Sequence, residues 1–600
     1  MRFFLSIIIF GAISLTAFSQ NFEPIPRAAN SFWTDSIPTT MRMSYISYGE
    51  RYLGSQWNNL PWAVFAENKI NGNRVNYENI CFEKRRQLAA LVMAEIMENK
   101  GRFMPDIING LGAFCEETWW GIPAHYGKRI PLSDVQEVDL FNAETANLIV
   151  WTAYMLKPQL DNFSPDICNR IKTEIKHRIL EPALQHNYWW KTAGMNWNPW
   201  ICSNWLSCVL LCEDNEEQKQ QAISQITQAL QAFIDAYPED GGCDEGPGYW
   251  DRAAASMSEI ISLLRADGVN IPITNKMRAM GSYVYKTYIG NDYCVNFADT
   301  HDNKTLQQLN VLYTFGLLLN DKTMRQFAAY MGKQKDLMHN AATLYDKSGN
   351  FPTLSRELFF LRSISALRQE EAVEPQLTDV WLPNLQLFTA RRGNMFVAMK
   401  GGNNAESHNH NDVGSFVVYA NNQPLLIDVG VGEYTAKTFS SSRYDIWTMQ
   451  SGYHNLPKIN AIDQKDGKQY AAKLVAQKAG SITLDIANAY PTEAKVEKWL
   501  RTISANKKGI SVTEDYCLKN IEAPTQIMFI TTTRPIVAQG SVIIGQHSIN
   551  FNATQIEAGI EDISPLLDPL LLNVWGSEMY RIVLTIKQEK AKNIIKYNIK

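Results

Sequence analysis

The feature that most constrains this 600-residue chain is one change of hydrophobic period near residue 375. From about residue 80 to 370, apolar residues recur at helical spacing. Ile167, Ile171, Ile175 and Ile179 form an i, i+4 ladder. Ile223, Ile226, Leu230, Phe233 and Ile234 form a second stripe, and Leu88, Leu91, Val92 and Ile96 a third. Stripes of this kind bury one helix face against a neighbour. Pro165, Pro182 and Pro238-Glu239-Asp240-Gly241-Gly242 punctuate them, so helix pairs alternate with loops. No tight repeat is present, yet this rhythm over roughly 300 residues predicts a helical toroid or solenoid. After Glu370-Glu371-Ala372-Val373-Glu374-Pro375 the period becomes two. Alternating runs follow at Met395–Met399, Ser415–Tyr419, Leu425–Asp428, Ile482–Ile486, Ile510–Thr513 and Arg581–Ile586. Strands at that density, with no helices between them, predict an antiparallel β-sandwich. The reading is a multidomain α+β chain, helical over 21–380 and β over 381–600.

The first 20 residues read as a secretory signal peptide. Arg2 supplies the positive region, Phe3–Phe10 the apolar run, and Ala17-Phe18-Ser19 the small-x-small cleavage site. The competing reading is a buried N-terminal strand or helix. Cleavage is expected after Ser19 or Gln20, where no Cys offers a lipid attachment point. No other run approaches the roughly 20 apolar residues of a membrane span. A secreted or periplasmic protein is therefore expected. The net charge of −4 and pI of 6.2, without a basic tract, argue against a nucleic-acid binder. A polyanionic substrate stays compatible, because a local basic cleft can sit on a mildly acidic protein. Nine scattered Cys without CxxC spacing make neither a disulfide scaffold nor a thiolate metal site. The 16 Trp, 25 Tyr and 25 Phe offer flat apolar faces that suit cores and sugar rings alike. Nothing in the sequence specifies an oligomeric state.

Chemistry concentrates in Glu406-Ser407-His408-Asn409-His410-Asn411-Asp412-Val413-Gly414-Ser415-Phe416. Two of the chain's nine His lie here with one residue between them. In an extended segment both imidazoles would face one side. An apolar run ends in Asp428, and a third His arrives in Gly452-Tyr453-His454-Asn455. His410, Asp428 and His454 make a plausible N/O set for Zn²⁺ or another divalent ion. The bland alternative is a surface loop with incidental His and an Asp capping a turn.

The run His-x-His-x-Asp-x-Gly-Ser-Phe, then Leu-Ile-Asp-x-Gly, Tyr434, Arg443-Tyr444 and His454-Asn455, resembles the heparinase II/III family signature. A second stretch, Asp240-Gly241-Gly242-Cys243-Asp244-Glu245-Gly246-Pro247-Gly248-Tyr249-Trp250, resembles the catalytic-Tyr loop of the same superfamily, oligoalginate lyases included. The resemblance implies an incomplete (α/α) toroid joined to an antiparallel β-sheet domain, with the substrate cleft between them. It implies Tyr249 as the catalytic Tyr, His408 as the catalytic His, and His410, Asp428 and His454 as a structural metal site. Many relatives carry a His some fifty residues before the Tyr, whereas here the segment reads Gly194-Met195-Asn196-Trp197-Asn198-Pro199-Trp200. Asn196, and after it Asn198, is the candidate for binding the substrate carboxylate, with helix capping as the alternative role.

The implied activity is β-elimination on a 4-O-linked uronic-acid polysaccharide. The C5 proton is α to a carboxylate, whose charge must be offset before a carbanion can form. A base takes that proton and an acid protonates the departing O4. Tyr249 can do both if nearby positive charge, from Arg252 or His408, favours its phenolate. Weaker candidates surround this core. Glu117, Trp119 and His125, in Phe114-Cys115-Glu116-Glu117-Thr118-Trp119-Trp120-Gly121-Ile122-Pro123-Ala124-His125, would suit a sugar subsite or simple packing. His301, in Asp299-Thr300-His301-Asp302, could line the same end of the toroid. Glu245 is expected to brace the Tyr249 loop through hydrogen bonds. Two other classes compete with a lyase. A glycoside hydrolase would need two carboxylates, for which Glu116, Glu117, Asp244 and Glu245 are available; a non-catalytic binder would need neither. The metal triad favours a glycosaminoglycan substrate (heparin or heparan sulfate, chondroitin sulfate, hyaluronan), and the Gly-Pro-Gly-Tyr-Trp loop favours alginate oligomers.

Overall fold

A computed structural model describes residues 22–132, 136–291, 293–300, 309–336 and 353–600. The leader at 1–20 and the pair His301-Asp302 lie outside these described residues. Through Leu367 the chain is helical, and the long helices pack in antiparallel pairs into an incomplete (α/α) toroid. Two of the longest begin on side-chain caps. Asp139 accepts from the Asn142 amide ahead of Leu140–Phe163, and Asn215 accepts from the Gln218 amide ahead of Glu216–Ala236. Each cap satisfies an amide that the first turn leaves without a partner. The stripe Ile223, Ile226, Leu230, Phe233 and Ile234 is buried as its spacing predicts, and so are Ile171, Ile175 and Ile179.

Pro182 behaves differently from expectation. The helix Asp166–Ile175 does not stop there. It widens into a π-turn at Lys176–Leu180 and runs on as Glu181–Gln185. The wider turn removes the need for the amide that proline lacks. Two short paired strands, Tyr288–Gly290 and Tyr293–Cys294, also sit inside the helical half.

From Asp379 onward the chain forms antiparallel sheets. Strands Asp379–Leu382, Leu387–Arg392, Met395–Lys400, Phe416–Ala420 and Gln423–Leu426 pair consecutively in a five-stranded sheet. An eight-stranded sheet centres on Val496–Asn506, Gly509–Leu518 and Lys592–Ile599, and a four-stranded sheet on Gln526–Thr531 and Tyr580–Ile586. Their inner faces share one core that includes Phe388, Phe416, Trp499, Phe529 and Tyr597. The longest strands alternate strictly between buried and less buried residues, as a sheet with one covered face requires. All nine cysteines are free thiols.

The two halves are stitched together along one seam. Asp240 accepts from the amides of Asn384 and Leu385, and Asp244 from that of Ser407. The Asn296 side chain donates to the Asp428 carbonyl at 2.9 Å. Backbones also touch there. A Cβ on Gly430, at φ +72, would lie 2.8 Å from the Thr300 carbonyl oxygen.

Candidate active site

The seam carries the sequence's chemistry. Tyr249 sits in a single helical turn, Pro247–Trp250, that Gly246 makes possible. At φ +86, a Cβ on Gly246 would lie 2.5 Å from both the Phe297 carbonyl and the Thr300 hydroxyl. Only glycine lets the loop come this close. Trp250 anchors it from below, buried and donating to the Met280 carbonyl. Tyr249 is left half-buried, its ring 4.5 Å from the His408 ring.

Asp299 is the hub of the site. His408 Nδ1 (2.8 Å) and the Tyr434 hydroxyl (3.1 Å) meet its Oδ2. Arg443 Nη2 (2.7 Å) and His410 Nε2 (3.1 Å) meet its Oδ1. Burial alone would raise its pKa, but hydrogen bonds from His408 and His410 hold it well below the usual carboxylate range. Tyr249 OH lies 2.8 Å from Tyr434 OH. Because the Tyr434 proton goes to Asp299, Tyr249 is the donor of that pair. A hydrogen-bonded chain therefore runs Tyr249–Tyr434–Asp299–His408. Burial, then the Asp299 carboxylate, push the Tyr249 phenol above its ordinary range, so it rests protonated. Burial pulls His408 down, but Asp299 and Glu245 overcome this and its pKa is raised.

The two His share a carboxylate without sharing a strand. The strand starts only at Phe416, and His408 lies in a turn at φ +54. Alternation along an extended segment, the sequence-based reason for a common face, does not operate here. Ala298, beside Asp299, is also at positive φ, +66. Such conformations cost about 1–3 kcal/mol each, and both flank the His408–Asp299 contact.

Behind this layer, His410, Asp428 and His454 each bring a ligand atom within 4.8 Å of the others, all fully buried. Their hydrogen bonding fits a cation. His454 Nε2 gives its proton to the Thr448 carbonyl at 3.0 Å, which leaves Nδ1 facing the Asp428 carboxylate at 2.9 Å. His410 Nε2 is directed to Asp299, and its buried Nδ1 has no partner among the described residues. Lone pairs thus converge on one point, an arrangement that a divalent ion or a doubly protonated His454 resolves. The second route is visible in His454, where Asp428 outweighs burial and raises the pKa.

Several sequence-based assignments need correction. Arg252 does not face the Tyr249 hydroxyl. Its guanidinium pairs with Glu144 at 2.8 Å and lies 4.6 Å over the Trp200 ring. Arg74, which no sequence pattern marked, adds a small field in favour of the Tyr249 phenolate. Asn198 is a brace. Its amide donates to the carbonyls of Lys191, Ala193 and Ala229. Glu117 is buried between Lys84 and Arg85, and Trp119 packs among Phe65, Tyr77 and Tyr126, so neither reaches a sugar. Among the described residues Glu245 Oε1 has no hydrogen-bond partner, and it lies 3.8 Å from His408 Nε2, so this oxygen faces the site rather than its own loop. Burial, with Asp244 and Asp299 nearby, pushes its pKa up to about 8. Asn196 precedes helix Trp197–Cys212 without capping it, and its buried Oδ1 has no partner among the described residues. His125 is half-buried and bonded to Asp139.

A helical toroid joined to an antiparallel sandwich, with a Tyr–Tyr–Asp–His chain at the junction, is the class of protein this defines. Residues 375–515 match the model of the heparinase II/III-like, C-terminal family. A crystal structure of heparinase III shares the fold, with TM-score 0.64 and 14% identity, over 96% of this chain and 87% of that one. A mutant of the heparan sulfate lyase HepC from Pedobacter heparinus gives 0.56 and 14%, over 96% and 85%. A chondroitin AC lyase mutant from Streptomyces coelicolor A3 gives 0.54 and 12%, over 93% and 82%. No curated protein sequence matches the chain.

Proposed function

We propose that this chain is an exported polysaccharide lyase that cleaves 4-O-linked uronic-acid polysaccharides by β-elimination, with a glycosaminoglycan as substrate. The observation that carries the reading is the Tyr249–Tyr434–Asp299–His408 chain in the seam between the two halves. Residues 21–380 act as the toroid domain and 381–600 as the sheet domain, after removal of the leader at 1–20.

In this mechanism Tyr249 rests as a phenol and must first lose its proton. The Tyr434–Asp299 hydrogen bonds are the route along which it leaves, and a neutral His408 at the end of the chain takes it up as imidazolium. A protonated His408, its ring tilted 31° against that of Tyr249, favours the phenolate. Asn196 offers an amide that offsets the charge of the substrate carboxylate. Tyr249 oxygen then takes the C5 proton. The C5 electron pair becomes the C4–C5 double bond as the C4–O4 bond breaks. The same proton passes from Tyr249 to O4, so no water is consumed. His410, Asp428 and His454 would hold a divalent ion, Zn²⁺ by donor type, which would neutralise Asp428 and tie the His408 loop to the sheet.

Hydrolysis is poorly supported, because it needs two carboxylates flanking the bond. Glu117 is locked to Lys84 and Arg85, Asp244 accepts from Ser407, and Glu116 is exposed on the surface. The test is to incubate the secreted protein with heparan sulfate, chondroitin sulfate, hyaluronan and alginate while following ultraviolet absorbance. A double bond conjugated to the carboxylate absorbs, and a glycosaminoglycan should give the fastest rise. Faster rise on alginate would move the substrate, and reducing ends without absorbance would remove the lyase reading.

A further inference from the structure

Three segments of the helical half, around His125, Phe141 and Trp189–Trp200, bring aromatic rings into contact. Trp189 is 55% exposed, unusual for the largest apolar side chain. Its ring centroid lies 5.0 Å from that of Trp197, itself half-buried, and Trp197 lies 4.8 Å from His125. His125 stacks on Phe141 at 5.6 Å, Phe141 meets Trp200 at 5.8 Å, and Trp200 lies under Arg252, three residues from Tyr249. A continuous series of contacts therefore leads from the exposed Trp189 to the residue three after Tyr249.

Each segment is pinned from behind. Trp190 is buried and donates to the Val138 carbonyl, while Lys191 donates to Ala183 and His186, fixing the turn that lifts Trp189 outward. Asn198 ties that turn to the start of the Trp197 helix. Glu117, held by Lys84 and Arg85, and Arg178, donating to the Glu117 and Thr118 carbonyls, fix the loop leading to His125. Asp139 uses Oδ1 to cap a helix and Oδ2 to bind His125 Nδ1 at 2.7 Å. The imidazole is oriented by this bond. Its Nε2 has no partner among the described residues, and the side chain keeps 16% of its surface exposed.

We infer that Trp189, Trp197 and His125 form a subsite for a non-reacting pyranose residue of the substrate chain. The two indoles take the apolar face of the sugar, and His125 Nε2 bonds to a polar group at its edge. A pyranose presents this combination, a flat C–H face and a polar rim. The supports Glu117 and Asn198 hold a platform that they do not form. This subsite rests on the polysaccharide reading above and adds a dependence on chain length.

The test uses the full secreted protein, with Trp189→Ala as the main variant because its exposed ring can go without disturbing the core. On polymer, KM should rise about tenfold, the equivalent of one lost aromatic contact, with kcat within about twofold. On the shortest oligosaccharide that is cleaved, KM should hardly change. His125→Asn should raise KM in the same length-dependent way. Unchanged polymer KM in Trp189→Ala would overturn the subsite while leaving the lyase reading intact. A second arm titrates heparan sulfate against intrinsic tryptophan fluorescence. If wild type responds, Trp189→Ala does not, and no unsaturated product ever forms, the subsite stands and the lyase reading falls.

Discussion

Around Asp299, four donors from His408, His410, Tyr434 and Arg443 close on one buried carboxylate. Around His125, the polar end is left open, and Trp189 keeps more than half its surface exposed. Both regions are pinned by hydrogen bonds, but the pinning serves different ends. The first fixes a charge distribution in a place that excludes water, where preorganised dipoles have the largest effect on a transition state. The second fixes ring faces and spends no hydrogen bonds on their exposed edges. On this account, damage near Asp299 should appear in kcat, and in folding too where the buried carboxylate itself is lost, whereas damage near His125 should appear in KM alone.

The comparison breaks first at Tyr249. Tyr249→Phe keeps the ring against His408 and removes only the hydroxyl. It should lower kcat by roughly 10²–10⁴-fold, the usual worth of general acid–base help, with an unchanged melting curve. Steady-state kinetics with calorimetry on the same sample checks both. Asp299→Asn should do more to folding. It leaves Arg443 and two His without a counter-charge, at about 3–5 kcal/mol by analogy with other broken buried pairs. Urea denaturation reads this, and a variant as stable as wild type would mean the hub is less tightly coupled than its geometry indicates.

His410→Ala should cost somewhat less, about 3 kcal/mol, by leaving Asp428 with one fewer partner in a fully buried position. A chelator should lower the Tm of wild type and add nothing in this variant. His408→Ala, two residues away and on the cleft side, should lower kcat with little change in Tm.

A control far from the cleft sharpens the contrast. Glu357 is buried in the helical half, where it accepts from Tyr45 and Asn310, and burial raises its pKa to about 7. A folded-state pKa above the unfolded value of about 4.5 gives stability that is fully present at low pH. That stability is lost as pH rises through about 7. Gln cannot ionise, so Glu357→Gln should lose less Tm than wild type between pH 5 and pH 8. The difference should be at most about 3 kcal/mol. Parallel Tm–pH curves would contradict the sign.

Much of this architecture is legible in the sequence because period and punctuation are local. The stripe from Ile223 to Ile234 and the strands around Met395 and Phe416 needed no long-range information. The metal set was legible for a related reason: His410, Asp428 and His454 fall within 45 residues and the resemblance fixed their pattern. Asp299 was not. It stands about 110 residues from His408, and only the seam between the halves brings the two together. Arg74 gave no local sign either, since its relation to Tyr249 depends on how the first long helix meets the sandwich. Asn198 and Glu117 were noticed for their polarity, but whether a polar side chain faces a cleft or a buried carbonyl is decided by tertiary contacts. Pro182 shows the reverse failure, a local rule overridden by a π-turn.

The most direct test of the central claim is the mass balance of the reaction. Defined uronate oligosaccharides are incubated with wild type, and every product is weighed by mass spectrometry. Elimination only redistributes atoms, so the fragment masses should sum to the parent, with one fragment carrying the unsaturated uronate. Fragments that sum to the parent plus one water would contradict the account, because water would then have cleaved the bond.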